Sequence, residues 1–268
     1  MNDSARLGTA ADQGKASVVS LAQPSRPLPG LSVFLPAYNE EENIERVVAG
    51  VLAHLPAIAD DYEVIVVDDG SGDRTPRIAD RLAAANSRVR AVHHQTNRGY
   101  GAAVASGMAA ARQPFVALLD ADGQFDPADL ATLARFASDN DAVIGCRAVR
   151  ADPLVRRIYG CGWTLLMRLF FGLGVSDLNC GLKLFRRSTV EKIELQASGA
   201  LVTAELMVKL LARGARIREV EVRHLPRLQG QQTGARPAVV LGAFRELVLL
   251  FPGLWAARWG GRRGGGGR

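Results

Sequence analysis

The chain is expected to fold as an α/β protein built on a doubly wound, mostly parallel sheet. Three observations predict this. Short apolar runs alternate with stretches of helical spacing in the order βαβαβαβαβ over residues 31–146, the pattern of an open sheet covered on both faces. Polar residues collect directly after these runs, at Tyr38 and Glu40, Asp68 and Asp69, Asp120 and Asp122, and Arg147. Open α/β sheets bind ligands there, outside the carboxyl ends of their strands. No G-x-G-x-x-G follows the first run, which disfavours a dinucleotide-binding oxidoreductase.

The first strand is expected over 31–35. Beyond it, Asn39 with Glu42 three residues on has the form of a capping box. It opens a helix to about residue 54, whose apolar positions Ile44, Val47, Val48, Val51, Leu52 and Leu55 recur at helical spacing. Residues 63–67 form the second strand, and Thr75-Pro76 starts the next helix, with proline in the first turn where its missing N–H costs nothing. The third strand, 89–92, precedes His93 and His94, which read as polar edge residues because nothing around them has metal-ligand spacing. A turn at 97–103 leads into a helix ending near Arg112. Amides at that helix N-terminus, beside Arg98 and Gly99, offer a place for a diphosphate; the glycines equally permit close helix–sheet packing. The fifth strand, 142–146, ends at Arg147.

The fourth strand, 115–119, is nearly all apolar and reads as buried on both faces. After it, Asp120, Asp122 and Gln124 alternate with Ala121 and Gly123, and in extended chain alternate side chains point to one side. Two carboxylates so close repel unless a cation sits between them, and hard cations such as Mg²⁺ and Mn²⁺ prefer oxygen ligands. The plain alternative is a polar strand-to-helix turn. An EF-hand loop is excluded, since counting from Asp120 its required Gly and Glu fall on Phe125 and Ala131. Asp126 is the expected N-cap of the next helix, with Pro127 at its first position.

At 268 residues and 48% hydrophobic, the chain can bury a full core as one large α/β domain. A net charge of +6 fits anionic partners such as nucleotides, phosphates or an acidic membrane surface. Much of that excess is Arg258, Arg262, Arg263 and Arg268 near the C-terminus. Without zinc-finger spacing or an aromatic RNP-type motif, nucleic acid is disfavoured. Cys146, Cys161 and Cys180 are odd in number and far apart, so they read as reduced cytosolic thiols with no disulfide framework or zinc pattern. Residues 1–29 read as a disordered leader, 30–236 as the functional domain, 237–259 as an apolar helix and 260–268 as a flexible Gly/Arg tail. The leader lacks the basic and apolar regions of a secretory signal.

Pro-Ala-Tyr-Asn-Glu at 36–40, Asp-Asp-Gly-Ser at 68–71, Asn-Arg-Gly-Tyr-Gly-Ala-Ala at 97–103 and Asp-Ala-Asp-Gly-Gln at 120–124 follow one another in this order. The set resembles the family-2 glycosyltransferases of GT-A fold, in particular the polyprenyl-phosphate (dolichyl-phosphate) mannose and glucose synthases, over about residues 31–251. The resemblance implies a Rossmann-like GT-A domain with a C-terminal acceptor-side extension. It implies that Pro36, Ala37, Tyr38 and Glu40 contact the nucleotide, with one of Asp68 and Asp69 meeting the base and Arg98 and Gly99 nearby. Asp120, Asp122 and Gln124, with Ala121 between them, would hold Mg²⁺ or Mn²⁺ on the donor diphosphate. Arg147 and Arg157 would hold an acceptor phosphate, with Asp177 in an acceptor-side loop (176–185), while Arg227 and Gly230 would form a late R-x-x-G that closes over the site. The chain departs from the family in having Gln231-Gln232-Thr233 where many relatives place a Ser, and in lacking a pair of long C-terminal transmembrane helices.

The implied reaction is inverting displacement at the anomeric carbon of GDP-mannose or UDP-glucose by a polyprenyl phosphate. A lipid phosphate needs no strong base; a glycan or small-molecule hydroxyl, the runner-up acceptor, needs one, for which Glu205 and Asp177 are candidates. Each has an ordinary reading too: Glu205 as an exposed position on a helix over 203–213, Asp177 as a turn residue, and Arg157, beside Arg156, as surface charge. A non-catalytic nucleotide-sugar-binding protein is the alternative of another class, disfavoured by the joint presence of Asp120, Asp122 and Arg147. Trp163, Leu166, Met167, Phe170 and Phe171 form an apolar stripe that serves either the core or a membrane contact. The segment 238–259 carries Arg245, Glu246 and Pro252 inside it. It is expected to lie flat in the interface of the inner membrane face, making a peripheral cytoplasmic protein, with burial in the core or an oligomer contact as the alternatives.

Overall fold

The computed structural model describes residues 27–147, 154–227, 229 and 237–260, with backbone alone for 154–157 and 237–238. The sheet contains β1 (Leu31–Ala37), β2 (Tyr62–Asp68), β3 (Val89–His93), β4 (Phe115–Leu119), β5 (Ala142–Arg147), β6 (Leu182–Arg186) and β7 (Ile217–Val222). Their order is β3-β2-β1-β4-β6-β5-β7. All neighbours are parallel except β6, which runs antiparallel to both β4 and β5. The helices are α1 (Ile44–His54), α2 (Thr75–Ala85), α3 (Tyr100–Ala110), α4 (Asp129–Ala134), α5 (Leu154–Phe171), α6 (Arg187–Val190), α7 (Val202–Ala212) and α8 (Pro237–Trp259).

Helices cover both faces, as the consecutive apolar residues within β1, β2 and β4 require. Val33 and Leu35 of β1 join α1 and α4 in one core layer. Phe34, between them, points into the other, with α3, α5, α7 and α8. Gly107 of α3 is there because a Cβ would fall 2.2 Å from the Phe34 ring. The five expected strands appear within two residues of their predicted ends. Strand β7 was not foreseen: its Ile-Arg-Glu-Val-Glu-Val alternates apolar with charged residues, as a half-exposed edge strand does.

One expectation at the first helix is corrected. Asn39 and Glu42 form no capping box. Asn39 sits at φ 55° with its Oδ1 accepting from Gly72 N–H at 2.9 Å, and the helix begins later, after Asn43 N–H and Ile44 N–H donate to the Glu40 carbonyl. The α8 helix has the expected bounds and runs through Pro252. The proline withholds one donor from the carbonyl of Val248, a residue at 73% exposure, so solvent reaches that carbonyl.

Candidate active site

The carboxyl ends of β1, β2, β4 and β5 open on one side of the sheet, where the motifs meet. Pro36 and Ala37 finish β1 as buried residues, and Tyr38 stands at the rim at 44% exposure. Glu40 N–H donates to Thr75 Oγ1 at 2.9 Å, so the loop after β1 is seated on the start of α2. Burial lifts the Glu40 carboxyl above its ordinary value, against the opposing pull of Asn43 and Arg227.

Asp68 and Asp69, both buried, are committed within the protein. Asp68 accepts from Ser71 N–H at 3.0 Å and meets His93 Nδ1 at 3.0 Å. Asp69 accepts from Arg98 N–H and Gly99 N–H, each at 2.9 Å, and meets His94 Nδ1 at 2.6 Å. Gly101 N–H goes to the Ser198 carbonyl at 2.7 Å. The amides expected to cradle a diphosphate at Arg98 and Gly99 are therefore occupied, and the loop is a packed joint. His94 is no edge residue: it is 8% exposed and its Nε2 reaches Ser106 Oγ at 2.8 Å, tying β3 to α3.

Asp120, Asp122 and Gln124 do not alternate along an extended chain. The backbone turns over 121–123, with Gly123 at φ 71°, and this breaks the period-two alternation. Asp120 Oδ1 accepts from the Tyr100 hydroxyl at 2.8 Å, while its Oδ2 lies where a Cβ on Gly181 would be, 1.8 Å away. Asp122 Oδ1 accepts from Gln124 N–H at 3.0 Å, and Oδ2 stands 3.5 Å from Arg227 Nη1. Gln124, 2% exposed, donates its amide N–H to the Leu225 carbonyl at 3.4 Å, a bond that leaves its Oε1 able to serve as an oxygen ligand. Asp126 is not the N-cap and Pro127 is not in the helix: α4 begins at Asp129 after Ala128, with no side-chain cap bond, and Asp126 Oδ1 instead accepts from Ala128 N–H at 3.0 Å in the turn before it.

The segment after β7 straps across this turn. Arg223 pairs with Asp126 and Asp129, both at 2.8 Å, Leu225 N–H donates to Gln124 O at 2.7 Å, and Arg227 Nη2 reaches Glu40 at 2.6 Å. Arg227 thus joins the loops after β1 and β4 over the crevice. Gly230 and 231–233 lie outside the described residues.

On the other flank, Arg147 is buried at the end of β5 and gripped by Asp177: Nε–Oδ2 is 2.6 Å and Nη2–Oδ1 is 2.8 Å. Asp177 is itself placed by Glu219 of β7, whose carboxylate accepts from Ser176 N–H and Asp177 N–H at 2.6 and 3.1 Å. A carboxylate so engaged is an orienting group, which corrects its reading as a base. Glu205 is neither exposed nor a base: at 0% exposure it accepts from Gln196 N–H, Ala197 N–H and Lys209 Nζ. The side chain of Arg157 lies outside the described residues.

The sequence profile of the family described as glycosyl transferase family 2 matches residues 32–194, which takes in every one of these strand-end clusters except the strap. The chain belongs to glycosyl transferase family 2. It is 34% identical over 202 residues to glycosyltransferase AglD of Haloferax volcanii, covering 72% of this chain and 32% of that protein. It is 32% identical over 210 residues to polyprenol monophosphomannose synthase of Mycolicibacterium smegmatis, covering 74% of this chain and 78% of that one. The chain thus spans about a third of the first relative and most of the second. Glucosyl-3-phosphoglycerate synthase of Mycobacterium tuberculosis, solved with Mn²⁺, UDP and glucosyl-3-phosphoglycerate, shares the fold at TM-score 0.63 and 24% identity, over 87% of this chain and 80% of that one.

In this transferase the donor set of the acidic pair fits a hard divalent ion. Burial, and next the charge of Asp122, push the Asp120 carboxyl up to about 7, the sign of a site short of positive charge. Two carboxylates are what Mg²⁺ typically takes from a protein when substrate phosphates supply further oxygens. Among the described residues no group of three or more acidic, His or Cys side chains could hold an ion unaided.

One charged residue beside the pair was not foreseen. Lys183 of β6 is fully buried, donates to the Cys180 carbonyl and exerts a favourable field on Asp120. Its own value is lowered, chiefly by burial. The available signal was a lysine inside the apolar run Leu182–Phe185, where an unpaired charge is costly.

Proposed function

We propose that this glycosyltransferase moves a hexose, with inversion, from a nucleotide sugar (GDP-mannose or UDP-glucose) to a polyprenyl phosphate. The observation carrying the reading is the convergence of Asp120 and Asp122 with Glu40 and Arg227 on one side and the buried Arg147 on the other. The polyprenol monophosphomannose synthase relative supports the lipid-phosphate acceptor, and the UDP and Mn²⁺ of the fold neighbour fit the donor.

Tyr38, with Pro36 and Ala37, forms the rim that receives the nucleotide, and Asp68 and Asp69 keep that rim in shape. Asp120 and Asp122, with the donor's diphosphate, hold Mg²⁺ or Mn²⁺. When bound, the ion offsets charge on the departing diphosphate. Arg227, already 3.5 Å from Asp122, closes over the same oxygens. Arg147 positions the acceptor phosphate, its planar guanidinium held at a fixed angle by Asp177, and Arg157 is assigned to the same phosphate from the sequence. A phosphate oxygen is anionic at neutral pH and attacks without a general base. This suits a site where Asp177 and Glu205 are both spent on internal contacts, and it weighs against a hydroxyl acceptor.

The lipid is reached through α5 and α8. Trp163 packs edge-on against Phe244 at 5.5 Å and Phe170 against Phe251 at 5.3 Å. Outside this seam Leu169, Leu241, Val248 and Leu249 stand at 72, 72, 73 and 66% exposure, an apolar patch fitted to a bilayer surface. Val239–Trp259 is long and apolar enough to span a membrane. However, Ala243, Leu247 and Leu254 pack on the domain, and Glu246 Oε1 accepts from Ser198 N–H and Gly199 N–H at 2.9 and 2.8 Å. Spanning would also bury Arg245 and Glu246 at ~2.5–3.5 kcal/mol each. We therefore assign α8 to the interface, on the cytoplasmic side, with the arginines of the tail drawn to anionic lipid.

The test offers labelled GDP-mannose and UDP-glucose in turn, with Mn²⁺, to polyprenyl phosphate and to the matching neutral polyprenol. Transfer of one sugar to the phosphate alone is expected. Equal transfer to the alcohol would overturn the acceptor, and binding without turnover of either donor would favour a non-catalytic protein.

A further inference from the structure

Tyr100 is the first residue of α3, and its position is unusually constrained. Gly99 before it sits at φ 95°, and a Cβ there would fall 2.4 Å from the Ser198 carbonyl oxygen. Gly101 after it leaves 2.2 Å between its own would-be Cβ and the Ala197 carbonyl oxygen. The two glycines let the helix start press directly on the 197–198 backbone. Two hydrogen bonds fix it there, Gly99 N–H to Asp69 Oδ2 at 2.9 Å and Gly101 N–H to Ser198 O at 2.7 Å. The 196–199 backbone is held in turn by the carboxylates of Glu205 and Glu246. The phenol projects from this joint onto Asp120 Oδ1 at 2.8 Å.

Packing alone would be served by phenylalanine; among the described residues the hydroxyl has one partner, and that partner is half of the acidic pair. A carboxylate oxygen has two lone pairs, so the bond from Tyr100 orients Asp120 and leaves it able to bind a cation. Gly181 seats the other oxygen. We infer that Tyr100 is a positioning residue of the metal site, holding the Asp120 carboxylate in the orientation in which it meets the ion. This rests on the metal reading above. It also gives the 97–103 motif a role other than phosphate binding: it aims Tyr100.

Outer partners that orient a ligand typically contribute 10–100-fold to metal affinity. Mn²⁺ binding is measured by the loss of the free-ion electron paramagnetic resonance signal, on wild type, Tyr100→Phe and Asp120→Asn, beside unfolding curves. The expected result is tight binding by wild type, affinity reduced at least tenfold in Tyr100→Phe with its folded circular dichroism spectrum kept, and near-complete loss in Asp120→Asn. Wild-type affinity in Tyr100→Phe overturns the inference while leaving the metal reading intact; no binding by wild type overturns the metal reading itself. Should Tyr100→Phe fail to fold, titrating wild type with Mn²⁺ while following the tyrosine ultraviolet difference spectrum gives the same answer. A perturbation absent in Asp120→Asn supports the contact, and an unchanged spectrum overturns it.

Discussion

Replacing Gly181 by alanine places a methyl group where the Asp120 carboxylate now lies. The added Cβ would stand 1.8 Å from Oδ2, 2.3 Å from Cγ and 2.9 Å from Phe125 Cε2. The backbones cannot part easily, because Asp120 N–H donates to the Gly181 carbonyl at 3.1 Å at the end of the β4–β6 ladder. The carboxylate must therefore retreat by more than ~1 Å to reach an ordinary contact, which breaks its 2.8 Å bond from Tyr100. A hydrogen bond to a charged group contributes about 1.5–3 kcal/mol, and a misplacement of about 1 Å in an active site costs on the order of 10²-fold in rate. Gly181→Ala should lose about two orders of magnitude in kcat/KM for hexose transfer, and Mn²⁺ affinity with it, while circular dichroism shows a folded protein. Activity within threefold of wild type would refute the reasoning, since it would mean that the position of Asp120 does not matter.

Asp177→Asn takes from the buried Arg147 guanidinium the carboxylate that holds Nε and Nη2 and should destabilise the fold by about 1.5–3 kcal/mol in denaturant titration; lost turnover at unchanged stability would instead restore Asp177 as a base. The raised Asp120 carboxyl binds a proton in the folded chain up to about 7, against 3.8 when unfolded. Stability of the metal-free protein therefore falls as pH rises through that window. For His93, burial pulls the value down but its bonds to Asp68 and Asp80 leave it raised, so its contribution is likewise lost as pH rises. Asp120→Asn should flatten the fall in unfolding temperature between about pH 4 and 7, and an identical slope in the variant would contradict the assignment. Deleting α8 and the tail, or raising salt, should release the protein from anionic vesicles in a sedimentation assay; a full-length protein that stays in the supernatant at low salt would assign α8 to the core or an oligomer contact.

The strands were legible because β4 is wholly apolar and β1 and β2 carry the apolar runs 33–37 and 64–67, and the crevice was legible because its polar residues directly follow them. What escaped was set by partners distant in sequence or by backbone sign. Period two failed at Asp120–Gln124 because Gly123 takes a positive φ, which the same glycine in an extended chain would not. Glu205 has the exposure of a core leucine because the amides of Gln196 and Ala197, nine and eight residues before it, need an acceptor. His94 and Asp69 lie 25 residues apart, and nothing local marks them as a pair. Arg227 was legible as a closing residue, yet its partner Glu40 stands 187 residues away and only the fold brings them together.

Asp120 and Asp122, as proposed, form a metal-dependent donor site serving a lipid phosphate. The decisive measurement follows formation of the glycosylated polyprenyl phosphate by mass spectrometry, with wild type and Asp122→Ala, in Mn²⁺ and in chelator. Product is expected from wild type in Mn²⁺, with recovery when metal is returned after chelation and a loss of at least ~10²-fold in Asp122→Ala under every condition. Undiminished product from wild type in chelator, or from Asp122→Ala in Mn²⁺, would contradict the proposal.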